Sequence, residues 1–335
     1  MDDHDQPLLS VEHLAVSLTG GDVRLVDDVS FSLSRGEALG LVGESGSGKS
    51  LTLRALLGLL PKGTEVTSGH VRFDGTELVS ARASELRRLR GRRIGMVFQD
   101  PMTALNPVMT VGDQIAEGRV THLGESRRVA RRYATALMGQ VGIADPARRA
   151  RAYPHEFSGG MRQRVVIAIA LACEPALILC DEPTTALDVT IQRQILTILD
   201  ELRGSRELAV LFVTHDLAVI AQICERVAVM YAGQIVESGP TAEVFASPRH
   251  GYTDGLLRSV PDLHLTRARL EAITGMPPGV ADMPLGCRFH PRCPLADDAC
   301  CLDRGYPLRA VGGGRRSACV HSERVGGHDP VVADA

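Results

Sequence analysis

The sequence predicts an α/β fold on a mainly parallel sheet, followed by a small loop-rich C-terminal extension. The apolar run Ala38 to Val42 leads into Gly43-Glu44-Ser45-Gly46-Ser47-Gly48-Lys49-Ser50 and then into a helical pattern. The runs Ala176 to Cys180 and Leu208 to Val213 are continuously apolar, as in strands buried on both faces, and helical patterns alternate with them. Near Ser247-Pro248 this alternation stops, and Gly and Pro become frequent between Gly275 and Gly314.

Taken in order, Leu8 to Leu33 shows alternating apolar residues around the turn Thr19-Gly20-Gly21-Asp22, which predicts antiparallel strands ahead of the glycine-rich loop. Leu53, Leu56, Leu57 and Leu60 then follow helical spacing until Pro61. Val71-Arg72-Phe73 around Asp74-Gly75 predicts a hairpin, and Ile94 to Phe98 a strand ending at Gln99. From about Pro101 to Tyr153 the chain is Arg- and Ala-rich with helical periodicity, which predicts a helical insertion. Phe157-Ser158-Gly159-Gly160 opens a helix from Met161 to Ala172, and the strand to Cys180 ends in Asp181-Glu182. A helix with one apolar stripe (Ile191, Ile195, Ile198, Leu199, Leu202) precedes the strand that delivers Thr214-His215-Asp216. In such a fold, ligands bind at the carboxyl ends of the strands.

The chain of 335 residues has room for one large domain and a smaller one, and 44% hydrophobic residues supply the core. A net charge of −3 offers no electrostatic footprint for nucleic acid, and the arginines at 87–93 and 127–132 read as solvated helix faces. The acidic start Met1-Asp2-Asp3-His4-Asp5 is not a secretory signal, and no apolar run approaches the roughly 18 residues of a membrane span. A cytosolic chain is expected, docked at most onto a membrane partner. Of the eight cysteines, Cys173, Cys180 and Cys224 lie in apolar segments, whereas Cys287, Cys293, Cys300, Cys301 and Cys319 crowd the C-terminal region. Without an export signal, that cluster suggests metal before disulfides.

Gly43 to Ser50 has the chemistry of a phosphate cradle. Glycines let the backbone wrap an anion, its N–H groups form a nest at a helix N-terminus, Lys49 reaches the β and γ oxygens, and the Ser50 hydroxyl ligates Mg²⁺. With such a loop present, Asp181 can hold Mg²⁺ through water, and Glu182 can orient or deprotonate the water that attacks the γ-phosphate. Ser158-Gly159-Gly160 at a helix start is a second anion site.

In order, Gly43 to Ser50 (Walker A), Gln99 (Q-loop), Ser158 to Gln163 (signature), Asp181-Glu182 (Walker B and catalytic glutamate), Ala186-Leu187-Asp188 (D-loop) and His215 (switch) closely resemble the ATP-binding-cassette (ABC) family. The resemblance implies a composite ATPase in which two domains meet head to tail. Each ATP would lie between the loop Gly43 to Leu51 of one subunit and Ser158, Gly159, Gly160 and Asp188 of the other, with Mg²⁺ held by Ser50, Gln99 and Asp181. Glu182, His215 and Gln99 are the implied catalytic residues, and Gln99 also links the helical insertion to a membrane subunit. Two departures stand out: Leu18 replaces the usual adenine-stacking aromatic, and Met161 stands in the signature. Affinity is therefore expected at the triphosphate more than at the base.

A narrower resemblance, to ATPase subunits of oligopeptide/dipeptide ABC importers, rests on Val97 to Pro101, Leu105-Asn106-Pro107, Phe157 to Arg164, His250-Gly251-Tyr252-Thr253 and Gly286 to Pro294. Gly251 stands where this group usually has Pro. The resemblance implies an ABC nucleotide-binding domain over 1–247, with a helical subdomain near 101–160, and a C-terminal extension over 248–335. It implies two membrane permease subunits, a second ABC ATPase subunit (identical or homologous), an extracytoplasmic solute-binding protein and no nucleic-acid partner. The chain would sit peripherally on the cytoplasmic face of the membrane. Cys287, Cys293, Cys300 and Cys319 occupy positions that in this subfamily ligate a 4Fe-4S cluster; zinc and unliganded thiols remain open, with Cys301 as a spare. Nickel or another small solute as cargo, and an ABC ATPase acting without a membrane partner, are the alternative functions.

Overall fold

The computed structural model describes residues 6–183, 189–259, 272–302 and 306–325, so the predicted D-loop with Asp188 lies outside the described residues. Strands β1 (Leu9–Leu18), β2 (Arg24–Leu33) and β3 (Ala38–Val42) precede helix α1 (Lys49–Leu56). Then come β4 (Thr64–Phe73), β5 (Thr76–Glu77), α2 (Ala83–Leu89) and β6 (Ile94–Val97). The helices α3 (Pro101–Ala104), α4 (Val111–Leu123), α5 (Arg127–Gln140), α6 (Pro146–Arg149) and α7 (Gly159–Leu171) follow. Next are β7 (Leu177–Asp181), α8 (Val189–Arg206), β8 (Ala209–Thr214), α9 (Leu217–Ile223), β9 (Arg226–Tyr231) and β10 (Gln234–Pro240). The last elements are α10 (Thr241–Ala246), α11 (Gly251–Ser259), β11 (Arg309–Ala310) and β12 (Arg316–Ser317). Packing divides the chain into one unit of Met1–Leu8, Leu33–Ala38 and Ser80–Val213 and another of Leu9–Ser32, Leu39–Val79 and Thr214–Ala335.

In the first unit β6, β7 and β8 run parallel, with Ile94 opposite Leu177 and Leu177 opposite Ala209. Every residue of β7 and β8 is buried, as their unbroken apolar runs require. A Cβ at Gly95 would lie 2.5 Å from the Ala170 carbonyl oxygen, so this glycine lets α7 lie directly on β6. In α5, Ala130, Ala134, Leu137 and Met138 form the buried stripe, while the exposed Arg131 pairs with Asp113 at 2.5 Å. The arginine cluster is thus a solvated face, as its spacing indicates. Strand ends differ slightly from the sequence reading: Asp181 and Thr214 are the last residues of their strands, whereas Phe98 lies beyond β6 and is 41% exposed.

The second unit holds an antiparallel sheet in the order β2-β1-β4-β5, and strands in the order β11-β12-β10-β9-β3. β3 and β9 are parallel, and the remaining pairs of that series are antiparallel. Left-handed φ at Asp74 (49°) and Gly75 (76°) makes the tight turn between β4 and β5. β4 begins at Thr64, earlier than its apolar residues indicate, because Thr64 to Ser68 is only partly buried and carries little hydrophobic signal. The chain beyond Ser247 returns to β10, where Ser317 of β12 stands opposite Glu237.

Two buried titratable groups meet at that return. Glu237 is fully buried on β10 and accepts the Arg249 N–H at 2.7 Å, and burial pushes its carboxyl up to about 7. His250, 1% exposed, accepts the Tyr252 N–H on Nδ1 at 3.1 Å, and burial pushes it down to about 4. The folded state therefore holds a proton on Glu237 between pH 4.5 and about 7, and stability falls with pH across that window. For His250 the unfolded state holds the extra proton between about 4 and 6.5, so stability there rises with pH. The two slopes offset each other in wild type. Glu237→Gln removes one of them, and its stability relative to wild type should improve by about 3 kcal/mol between pH 4.5 and pH 8. Denaturant melts at the two pH values measure this; equal differences at both would show that Glu237 titrates normally.

Candidate active site

β3 is buried throughout, and the glycine-rich loop follows it directly. Gly43 has φ 155°, and a Cβ there would stand 2.1 Å from the Met230 carbonyl oxygen and 2.9 Å from Ser47 Oγ, so no other residue fits. Gly46 (φ 81°) faces open space, and Gly48 (φ 103°) is the N-cap of α1. Lys49 is 4% exposed, and its Nζ donates to the carbonyls of Gly43 (2.7 Å) and Glu44 (2.8 Å) and to Ser47 Oγ (3.3 Å). Ser50 and Leu51 occupy the first turn of α1. Ser45 is exposed, and the Ser47 carbonyl is held by the Gly233 N–H at 2.9 Å. The result is a glycine-rich backbone loop with a cation already stationed on it, which suits an oxyanion-rich ligand.

His215 belongs to the same unit and is exposed directly after β8. Its backbone is fixed on the C-terminal side, where Asp216 donates its N–H to Thr214 Oγ1 at 3.0 Å and caps α9 by accepting the Ala218 N–H at 2.9 Å.

In the first unit, Asp181 closes β7 and is 4% exposed. Glu182 follows with φ 48°, a left-handed conformation for a non-glycine residue, and its N–H donates to the Val213 carbonyl at 2.9 Å. Gln99, exposed just beyond β6, donates from Nε2 to Glu182 Oε2 at 3.0 Å. This hydrogen bond joins two residues separated by 83 positions. Ser158 N-caps α7 through a 3.4 Å bond from the Met161 N–H; a Cβ on Gly159 would meet nothing within 4 Å, whereas one on Gly160 would stand 2.7 Å from the Ile191 side chain. Gln163 is buried, and its Nε2 has no hydrogen-bond partner among the described residues.

Cys287, Cys293 and Cys319 are half-buried, Cys300 is buried, Cys301 is exposed, and all are reduced. The Cys287 sulfur accepts the backbone N–H of Phe289, Cys293 that of Leu295, and Cys319 those of His321 and Gly251. Burial and then the nearness of the other cysteines raise their pKa values, Cys287 to about 11. Burial disfavours the thiolate form of each of these cysteines, and the charge of its neighbours disfavours it further. The donor atoms of Asp297, Cys300 and His321 also lie within 4.8 Å of one another. The spare Cys301 instead directs its sulfur at the Asp297 carbonyl at 3.6 Å.

Sequence reasoning did not find the partners of Glu44. Its N–H donates to Tyr252 Oη at 2.7 Å, and its carboxylate takes a two-pronged contact from Arg292 at 2.8 and 3.1 Å. Separations of 208 and 248 residues leave no local pattern to read.

Residues 26–185 match the family described as ABC transporter, and residues 236–300 match the oligopeptide/dipeptide transporter C-terminal region. The dipeptide transport ATP-binding protein DppD of Bacillus subtilis is 50% identical over 309 residues, 91% of this chain and 92% of that protein. The chain belongs to the ABC transporter ATPase family. Within that family, the oligopeptide transport ATP-binding protein OppD of Salmonella typhimurium is 47% identical over 314 residues, covering 93% of each chain. Among solved ABC structures, the cassette MJ0796, dimeric and bound to ADP and Pi after hydrolysis, aligns with TM-score 0.63 and 28% identity over 70% of this chain and 98% of that one. CbiO1 of Clostridium perfringens aligns with the same score and identity over 72% of this chain and 92% of its own. No helix of the described residues is long and apolar enough to cross a membrane.

Proposed function

We propose that this ABC ATPase is the energy-coupling subunit of a membrane importer for dipeptides or oligopeptides, seated peripherally on the cytoplasmic face. The observation that carries the cargo class is the match of residues 236–300 to the oligopeptide/dipeptide region, joined to relatives that transport dipeptides and oligopeptides. In this reading 1–247 is the nucleotide-binding domain, with its helical subdomain near 101–160, and 248–335 is the extension. Two permease subunits, a second ATPase subunit and an extracytoplasmic solute-binding protein complete the assembly.

The loop Gly43 to Leu51 binds the triphosphate through backbone N–H groups and Lys49, which exchanges its loop carbonyls for phosphate oxygens. Mg²⁺, held by Ser50, Gln99 and Asp181, would screen the phosphate charge. Glu182 takes the proton of the attacking water, Gln99 orients its carboxylate, and His215 donates to the γ-phosphate. Ser158, Gly159, Gly160 and Asp188 of a second subunit close over the nucleotide, so hydrolysis follows dimer closure. Leu18, 42% exposed at the end of β1, offers no aromatic face, and base selectivity is correspondingly weak. Purification from membranes with its permease subunits, followed by ATP-dependent peptide uptake into proteoliposomes, tests this reading. Nickel uptake, or ATPase activity without membrane partners, would replace it.

Cys287, Cys293, Cys300 and Cys319 would hold a 4Fe-4S cluster, supported by the backbone N–H donors at three of these sulfurs. Anaerobically purified protein is then brown, with about four irons and matching sulfide per chain. Colourless protein without iron, or with one zinc, would overturn the assignment.

A further inference from the structure

Glu44 sits inside the phosphate loop, yet its contacts come from far along the chain. Tyr252, in the first turn of α11, is fully buried and accepts the Glu44 N–H at 2.7 Å. The side chain of Arg292 is 6% exposed; Nη1 and Nη2 donate to the two Glu44 carboxylate oxygens at 2.8 and 3.1 Å. Arg292 is in turn fixed by Nε donation to the Thr274 carbonyl at 3.1 Å and by a 3.3 Å bond to Tyr231 Oη. Its guanidinium also lies 5.8 and 5.9 Å from the ring centres of Tyr231 and Phe289. Tyr231, Tyr252 and Phe289 pack on one another with centroids 4.5 to 5.4 Å apart. Lys49 donates to the Glu44 carbonyl at 2.8 Å.

We infer that Arg292 and Tyr252 are positioning residues of the nucleotide site, through which the C-terminal region sets the shape and charge of the phosphate loop. The inference rests on the loop's binding ATP. The carboxylate of Glu44 would otherwise repel a triphosphate bound to the same loop, and the Arg292 fork neutralises it at a fixed place. A paired fork also pulls the loop between Gly43 and Ser47 toward one conformation, so less order has to be imposed when the phosphates arrive. The Glu44 N–H, tied to Tyr252, is directed away from the nest of donors, and this fixes which neighbouring N–H groups remain for the ligand.

The test is titration of the full-length protein with a fluorescent ATP analogue, together with kcat and KM for ATP hydrolysis and a melting curve. Arg292→Ala should raise Kd and KM for ATP about tenfold, with kcat changed less than about twofold. Arg292→Lys, which restores charge without the fork, should recover only part of that loss. Tyr252→Phe should raise Kd about threefold. Glu44→Gln with Arg292→Ala should bind ATP more tightly than Arg292→Ala alone, because the unpaired carboxylate is gone. Arg292→Ala with wild-type Kd and a lowered melting temperature would show a brace for the fold only and overturn the inference. If Arg292→Ala does not fold, Arg292→Lys and Tyr252→Phe decide by the same Kd criterion. Wild-type protein that binds no nucleotide would instead overturn the ATPase reading itself.

Discussion

Glu182→Gln is expected to lower steady-state ATP hydrolysis about a thousandfold while ATP affinity stays within about twofold of wild type. The amide keeps the size of the side chain and the left-handed backbone at φ 48°, so the local fold is preserved. What it loses is the ability to accept a proton from water, and the 3.0 Å bond from Gln99 Nε2 now meets either an amide oxygen or a second donor. Phosphate release from saturating ATP, compared with equilibrium binding of the fluorescent analogue, separates the two effects. Turnover equal to wild type would remove Glu182 from the proton-accepting role, and loss of binding would make it a structural residue.

Gly43→Ala is expected to abolish measurable nucleotide binding and to destabilise the chain by about 3 kcal/mol or more. The added methyl would stand 2.1 Å from a backbone carbonyl oxygen, that of Met230, which cannot rotate away as a flexible side chain can. Relief requires the loop or β9 to move, and either shift displaces the carbonyls on which Lys49 rests. Gly46→Ala makes an informative contrast, since its Cβ position is open and only its φ of 81° is strained. Melting curves and titrations on both variants check the difference; equal binding in Gly43→Ala and wild type would mean that the carbonyl yields.

The strands and their ends were legible because two kinds of signal agree there. Unbroken apolar runs identify β7 and β8, and the polar residues that follow each run, Glu182 and His215, are those that a carboxyl-end site needs. The join of Gln99 to Glu182 was not legible, since neither residue's own neighbourhood specifies it. β4 was read too short because its first half carries Val66 alone among polar residues and buries no side chain fully before Val71. The Glu44 contacts were illegible for another reason: Tyr252 and Arg292 resemble ordinary parts of a tail motif, and only the tertiary fold gives them a common target. Glu237 and His250 were likewise hidden, because burial of a polar residue is a property of its neighbours.

The contacts on Glu44 also impose an order on biosynthesis. The phosphate loop leaves the ribosome early, but its partner Arg292 is made 248 residues later, and Tyr252 208 residues later. At ordinary translation speeds that interval is on the order of ten to fifty seconds. A nascent chain therefore displays the complete glycine-rich motif well before the two groups that hold Glu44 exist.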